Sequence, residues 1–178
     1  MTLREKCLLV LALVCLIEVA GSKVQAETLV PTFTKEQQIL LDQAYIIGKP
    51  YNLGYTLQAI IWQESFVGKY VVRINPKDGK AGSYGVSHIQ LTTAMALTGE
   101  TNEWRAKAEL LPRLMTHDAF AISLSLNILY ATQKQIHNWH SVIAAYNGGL
   151  NGIDNPKAQV YADAISEKVK YLQMHYKN

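Results

Sequence analysis

The pattern of apolar and polar positions along residues 55–66 predicts a helix with a carboxyl group in its apolar stripe. Leu57, Ile60 and Ile61 recur at helical spacing, and the next position of the same stripe is Glu64. A carboxyl group on the core-facing side of a helix costs free energy unless it is paired, protonated or open to a cleft. Burial also favours the protonated form, which a general acid needs near neutral pH. Glu64 is therefore either a functional acid or a helix-end residue that turns into water.

The same periodicity predicts helices along most of the chain. Thr34 and Gln37 form a capping box that begins the first helix, and Asn155-Pro156 supplies a cap and a first-turn proline to the last one. Pro112 is expected to end the helix that precedes it. The expected helices cover about residues 35–47, 55–68, 93–98, 102–110, 118–136, 140–146 and 156–175.

The apolar residues of these helices predict how the helices pack. The stretch 118–136 is apolar on most sides, so we expect it to be the buried central helix. Ile39 and Ile46 of the first helix and Val160 of the last are expected to face the core. Turn signals within residues 69–85 add at most a small hairpin. The pattern therefore predicts one all-α domain of about seven helices.

The first 26 residues have the organisation of a secretory signal peptide. Arg4 and Lys6 precede an apolar stretch over residues 7–17, and Val24-Gln25-Ala26 offers the small residues of a cleavage site. The apolar stretch is short for a membrane span, so an uncleaved anchor is the less favoured alternative. We expect residues 27–178 to be periplasmic or secreted.

Composition and charge narrow the classes of function. A chain of 178 residues that is 49% hydrophobic and 17% charged is typical of a globular domain. The net charge is +3 without a Lys/Arg cluster, which argues against a nucleic-acid partner. Cys7 and Cys15 both lie in the predicted signal peptide, so thiolate nucleophiles and thiolate metal sites are excluded from residues 27–178. We expect no metal and no other cofactor.

Three short motifs follow one another along the chain. Glu64-Ser65 lies at a predicted helix end, residues 82–90 read GSYGVSHIQ and lead to Thr93-Ala94, and residues 144–149 read AAYNGG. In their order and spacing these motifs resemble those of the lytic transglycosylases of the soluble-transglycosylase (SLT), goose-type lysozyme-like superfamily. The resemblance covers about residues 35–175 and implies a lysozyme-like single domain.

The middle motif departs from the family's Gly-Leu-Met-Gln pattern. An ungapped match keeps Gly85 in place but puts Ser87 at the Met and His88 at the Gln, whereas one gap would let Gln90 serve. We prefer the ungapped match. His88 can donate and accept hydrogen bonds and, unlike Gln, can titrate near neutral pH. A satisfied structural histidine is the alternative interpretation.

The resemblance implies a role for each matching residue. In the family one Glu, here Glu64, protonates the leaving oxygen of the β-1,4 bond between N-acetylmuramic acid and N-acetylglucosamine. The same Glu then takes the proton of the C6 hydroxyl, which gives a 1,6-anhydromuramic product. By the same resemblance Ser65 orients the substrate and Gly85 lets the backbone approach the glycan. Tyr146 and Asn147 contribute to the cleft, although a core tyrosine and a helix stop explain them equally well.

A second carboxyl group across the cleft would favour a hydrolase. Asp78 and Asp118 are the candidates, but a turn with Gly79 and a helix cap account for them as well. The alternatives to a lytic transglycosylase are therefore a lysozyme-type hydrolase and a catalytically inactive, glycan-binding lysozyme-like module. We expect a monomer whose partner is peptidoglycan, and the resemblance also allows a secretion or conjugation machine of the cell envelope as a partner.

Overall fold

The computed structural model describes residues 31–75, 77 and 79–176, and the predicted signal peptide, both cysteines and Asp78 lie outside the described residues. Seven helices and one two-stranded hairpin form the described part of the chain. The helices are α1 Lys35–Gly48, α2 Gly54–Ser65, α3 Leu91–Thr98, α4 over residues 103–116, α5 Asp118–Gln133, α6 Trp139–Gly148 and α7 Pro156–His175. Short 3-10 turns occupy Lys49–Tyr51 and Leu150–Gly152. The predicted all-α fold with a small hairpin is confirmed.

The helix-start signals in the sequence act as predicted. The Thr34 side chain accepts a hydrogen bond from the Gln37 amide, and the Gln37 side chain accepts one from the Thr34 amide, so both halves of the capping box are present. The Asn155 side chain caps α7, with Pro156 in its first turn. α3 differs, because it begins at Leu91 with Gln90 as the N-cap and no side-chain cap.

Pro112 does not end α4, so that expectation is wrong. The helix begins as Glu103–Arg105, passes through a π-helical segment Ala106–Leu110 and continues as Leu111–Thr116. Pro112 lies in the first turn of that last segment, where a missing N–H is tolerated. The Leu111 amide donates to the Ala106 carbonyl five residues back, which is the π-type spacing.

The core forms around α2, which packs against α1, α5 and α7. Leu57, Ile60 and Ile61 are fully buried there, as the apolar stripe predicts. The expectation that Ile39, Ile46 and Val160 face the core is wrong, since these side chains are mostly exposed. Their helices bury narrower stripes instead, which consist of Leu40, Leu41, Ala44 and Gly48 in α1 and Ala158, Tyr161, Ala162, Ile165 and Leu172 in α7.

The hairpin pairs β1 Val72–Ile74 with β2 Ala81–Tyr84 in antiparallel register. Val72 lies opposite Tyr84 and Arg73 opposite Ser83, and the register shifts between Arg73 and Ile74. The hairpin follows directly on the turn after α2, so it forms a wall beside the end of that helix. Within the described ranges, no helix combines the length and apolar content needed to cross a membrane.

Candidate active site

A polar cleft lies at the C-terminal end of α2. Two cavities of about 460 and 490 Å³ form it, and both are lined by Glu64, Arg73, His88 and Asn147. The remaining polar lining of the first cavity includes Gln90, Thr93, Ser83 and Tyr146, and that of the second includes Gln63, Lys157 and Tyr161. Besides Glu64, four candidate site residues from the sequence motifs therefore line the cleft, namely His88, Gln90, Tyr146 and Asn147.

The Glu64 carboxyl group lies at the floor of this cleft with only 10% of its side chain exposed. The Tyr161 hydroxyl donates a hydrogen bond of 2.7 Å to its Oε1 atom. The His88 Nδ1 atom lies 3.4 Å from its Oε2 atom, within ion-pair range but outside hydrogen-bond geometry. The carboxyl group is thus held on one oxygen, and its other oxygen faces an imidazole nitrogen.

A left-handed turn after α2 fixes the chain behind Glu64. Phe66 and Val67 have φ values of 53° and 54°, and Gly68 follows at 78°. Left-handed backbone is unusual for a β-branched residue, so Val67 marks local strain that the surrounding contacts must hold. The amides of Phe66 and Val67 donate to carbonyl groups of α2, and the Gln37 side chain donates to the Phe66 carbonyl.

Ser65 holds this turn from inside the protein. Its side chain is fully buried, donates to the Ile61 carbonyl at 3.0 Å and accepts from the Gly68 amide at 2.8 Å. It lines neither cavity of the cleft. The structure therefore places Ser65 where it shapes the turn beside Glu64.

A second tight turn presents His88 to the cleft. The backbones of Tyr84 and Ile89 exchange two hydrogen bonds of 2.9 Å, and the His88 amide donates to the Gly85 carbonyl. Both His88 and Gly85 adopt left-handed backbone, with φ values of 47° and 74°. The ring then lies between two acceptors, because His88 Nε2 is 2.7 Å from the Tyr70 carbonyl oxygen and Nδ1 faces Glu64.

Gly85 makes its close approach to the protein's own backbone. A Cβ atom at this position would overlap the Leu114 carbonyl oxygen and lie 3.2 Å from the Ala121 side chain. Gly85 is buried and lines neither cavity of the cleft. The resemblance explains this glycine by the close approach of a glycan. In the structure, the space that a side chain would need is filled by α4 and α5, which pack on the turn.

Two tyrosines line the cleft, Tyr146 in the first cavity and Tyr161 in the second. The rings of Tyr146 and Tyr161 stack with centroids 6.4 Å apart. Tyr146 donates to the Ser87 carbonyl and lies 3.0 Å from Ser125 Oγ, so it joins α6 to α5 and to the His88 turn. Burial, reinforced by the nearby Glu64 carboxylate, raises the pKa of both tyrosine hydroxyls. Both rings are therefore neutral hydrogen-bond donors over the physiological pH range.

The sequence motifs did not indicate Tyr161, Arg73 or Ser125 as parts of the site. Tyr161 belongs to the apolar stripe of α7, and only its hydroxyl group, which reaches Glu64 across 97 residues of sequence, distinguishes it from a core residue. Arg73 stands in the hairpin and lines both cavities. A polar atom at the end of an otherwise apolar side chain is the one available signal for Tyr161.

The candidates for a second carboxyl group do not complete a pair. Asp118 lies in the first turn of α5, where burial raises its pKa, and it lines neither cavity. Asp78 lies outside the described residues. Among the described residues that line the cleft, Glu64 carries the sole carboxyl group. No group of three or more His, Cys, Asp or Glu side chains in the described ranges is placed to hold a metal ion.

A mainly helical domain with one carboxyl group at the floor of a polar cleft is lysozyme-like. The family described as the transglycosylase SLT domain matches residues 47–169, well over half of the chain. The chain belongs to this family, in agreement with the resemblance of its three motifs. No curated protein and no solved structure matches the chain significantly.

Family membership gives the function at a coarse level. Proteins with this domain act on peptidoglycan with activity of the lytic transglycosylase type, and the chain is a member of that class. Their substrate is the cell wall, which agrees with a location outside the cytoplasm. The matched range contains α2, the hairpin, the His88 turn and most of α7, so it includes the whole described cleft.

Proposed function

We propose that the chain is a peptidoglycan lytic transglycosylase in which Glu64 acts first as acid and then as base. The observation that carries this proposal is that Glu64 holds the one carboxyl group among the described residues of the cleft, where it is one-tenth exposed and accepts a hydrogen bond from Tyr161. One carboxyl group suffices when the substrate's own C6 hydroxyl replaces water. Family membership supports the substrate, since the family acts on peptidoglycan.

The two steps use the same carboxyl oxygen. Glu64 gives its proton to the leaving glycosidic oxygen as the C1–O bond breaks and C1 takes on oxocarbenium character. The C6 hydroxyl then attacks C1 and returns its proton to the Glu64 carboxylate, which closes the 1,6-anhydro ring and restores the acid. Tyr161 occupies Oε1, so Oε2 is the atom available for both transfers.

Several neighbours of Glu64 fit a glycan with carboxylate substituents. Arg73 and Lys157 line the cleft and supply positive charge for the lactyl and peptide carboxylates of peptidoglycan. Asn147 and Gln90 offer hydrogen-bonding side chains to sugar hydroxyl and acetamido groups. From the predicted signal peptide we infer that the enzyme is periplasmic or secreted. From the family resemblance we infer that it can act together with a secretion or conjugation machine of the cell envelope.

A lysozyme-type hydrolase is the second candidate. It would use a second carboxyl group with room for a water molecule between the two groups. The described lining of the cleft favours the transglycosylase, because it holds one carboxyl group.

Mass spectrometry of digested peptidoglycan tests the proposal. Purified protein and its Glu64→Gln variant are incubated with purified sacculi, and Glu167→Gln, an exposed glutamate on α7, is the matched control. We expect anhydro-muropeptides from the unmodified protein and the control, and a loss of about a thousandfold in Glu64→Gln. Reducing-end products would establish the hydrolase instead, and the absence of any cleavage would overturn both candidates.

A further inference from the structure

The His88 ring is buried next to Glu64 with one nitrogen that has no hydrogen bond. Only 6% of the side chain is exposed, yet Nδ1 lacks a hydrogen-bond partner among the described residues. A buried nitrogen without a partner is unfavourable, because it has lost its hydrogen bonds to water without replacing them. The Glu64 Oε2 atom lies 3.4 Å from this nitrogen.

The other nitrogen fixes which tautomer the ring adopts. His88 Nε2 lies 2.7 Å from the Tyr70 carbonyl oxygen, and a carbonyl oxygen only accepts, so Nε2 carries a proton. Neutral His88 therefore presents a bare lone pair at Nδ1. Nδ1 gains a proton only when the ring becomes imidazolium.

This tautomer constrains the number of protons between the two side chains. If no proton lies between Nδ1 and Oε2, the Nδ1 lone pair faces the lone pairs of a carboxylate, and the contact is repulsive. If one proton lies between them, Glu64 is either a carboxylic acid that donates to Nδ1 or a carboxylate that accepts from the His88 imidazolium. Tyr161 already donates to Oε1, so the shared proton lies between Oε2 and Nδ1.

We propose that His88 is a positioning residue that shares one proton with Glu64 and keeps it available to the acid at neutral pH. This inference rests on the proposed function of Glu64. When the proton lies on Nδ1, that N–H bond breaks as Oε2 takes the proton and passes it to the leaving oxygen, and His88 is left neutral. The proton from the C6 hydroxyl then returns to Oε2, which restores the singly protonated pair.

The groups that face this pair come from every neighbouring element. Tyr161 and Lys157 of α7 and Arg73 of β1 line the cavity beside it, and Tyr146 of α6 stacks on Tyr161. The two tyrosines stay neutral, because burial raises their pKa values. Arg73 and Lys157 bring positive charge to the same cavity, and both side chains stay in place when His88 is replaced.

The pH dependence of cleavage tests this role. A lone glutamic acid releases its proton about two pH units below an imidazolium, so loss of the partner should move the alkaline limb of the rate profile to lower pH by about one unit or more. The variants are His88→Asn, which suits left-handed backbone and does not titrate, and His88→Gln, the residue of the family pattern. His137→Asn removes an exposed histidine and is the matched control.

A profile of unchanged shape but lower height in both His88 variants would overturn the proposal and leave a structural histidine. Full activity with an unshifted limb would overturn it as well. The use of two variants guards against a failure of one to fold, which circular dichroism reports.

A second measurement needs no activity. Nitrogen-15 spectra of the histidine rings are followed against pH in the unmodified protein and in Glu64→Gln, and the His88 signal is assigned by its loss in His88→Asn. We expect a neutral Nε2–H tautomer, and a titration midpoint that falls by about one pH unit when Glu64 is replaced. A neutral Nδ1–H tautomer, or the same midpoint in both proteins, would overturn the proposal. If the protein cleaves no peptidoglycan but the midpoint shifts, the proposed function fails while the shared proton stands.

Discussion

The two ends of helix α2 differ in how their polar groups are arranged. Its N-terminal end opens on a single cavity of about 720 Å³, which is lined by the aromatic rings of Tyr45, Tyr55 and Trp139 and by Lys49 and Lys170. Its C-terminal end opens on the cleft of about 460 and 490 Å³ that contains Glu64. The cavity at the N-terminal end has the more aromatic lining, and none of the described residues that line it is acidic.

The difference lies in what each polar group needs from its neighbours. At the N-terminal end Lys170 pairs with Glu167 in water, and Lys49 lies over the Tyr45 ring, so each group has a local partner. At the C-terminal end the Glu64 carboxyl group is buried, and its partners arrive from α7 and from the His88 turn. We expect catalysis at the C-terminal end, because buried titratable groups that contact one another are typical of functional sites.

The largest expected effect on stability comes from replacing one glycine near each end of α2. Gly85→Ala should cost about 3 kcal/mol of unfolding free energy, since φ is +74° and the new methyl group would overlap the Leu114 carbonyl. Gly54→Ala should cost less, about 2 kcal/mol, because the backbone there is not left-handed, although the methyl group would lie 2.6 Å from the Tyr45 ring and 3.1 Å from the Tyr45 carbonyl oxygen. Urea denaturation of both variants measures the two losses, and equal losses would show that the left-handed backbone at Gly85 and its overlap with the Leu114 carbonyl add no extra cost.

The next effect concerns the hydrogen bond on the carboxyl group. Tyr161→Phe removes the 2.7 Å bond to Glu64 Oε1 and should lower the cleavage rate roughly 10-fold, since hydrogen bonds to charged groups contribute about 1.5–3 kcal/mol. Tyr55→Phe, in the wall of the other cavity, is the matched control and should cleave normally. Rates on purified sacculi decide the matter, and equal rates for both variants would mean that Tyr161 serves the core alone.

A smaller effect is expected from alkaline pH. Burial, then the neighbouring Glu64 charge, raises the pKa values of Tyr146 and Tyr161 in the folded state. The unfolded chain releases these protons near pH 10, so their stabilising contribution is complete below that pH and is lost as pH rises above it, by up to about 1.4 kcal/mol per pH unit for each group. The thermal midpoint should therefore fall above about pH 10, and Tyr161→Phe should reduce the slope. A slope that is the same in Tyr161→Phe would show that other groups control alkaline unfolding.

The fold was predictable because its signals are local. The capping box of Thr34 and Gln37, the Asn155-Pro156 start and the apolar stripe around Ile60 each lie within a few residues of sequence. The prediction that Pro112 ends a helix failed because the effect of a proline depends on the turn before it. That turn is π-helical here, and a π-helical segment has no clear sequence signature.

The site was predictable only in part, because its contacts join distant segments. Glu64 was indicated by its place in an apolar stripe, and Tyr146 and Asn147 by motif. The bond from Tyr161 to Glu64 spans 97 residues, and nothing near Tyr161 in sequence indicates it. Ser65 and Gly85 belong to the right motifs, but whether such residues face the cleft or the backbone is decided by the left-handed turns at residues 66–68 and 85–88.

The smallest expected effect belongs to the N-terminal end of α2. Lys49→Ala and Lys170→Ala should each change the cleavage rate less than about twofold, because surface charges with local partners contribute about 0–1 kcal/mol. Arg73→Ala, in the cleft, is the matched cation and should raise KM on peptidoglycan, since it removes positive charge from the lining of both cavities. If instead Lys49→Ala and Lys170→Ala raised KM as much as Arg73→Ala, the cavity at the N-terminal end would take part in binding the glycan or its peptides. The two ends of α2 would then form one substrate surface rather than a functional end and a structural one.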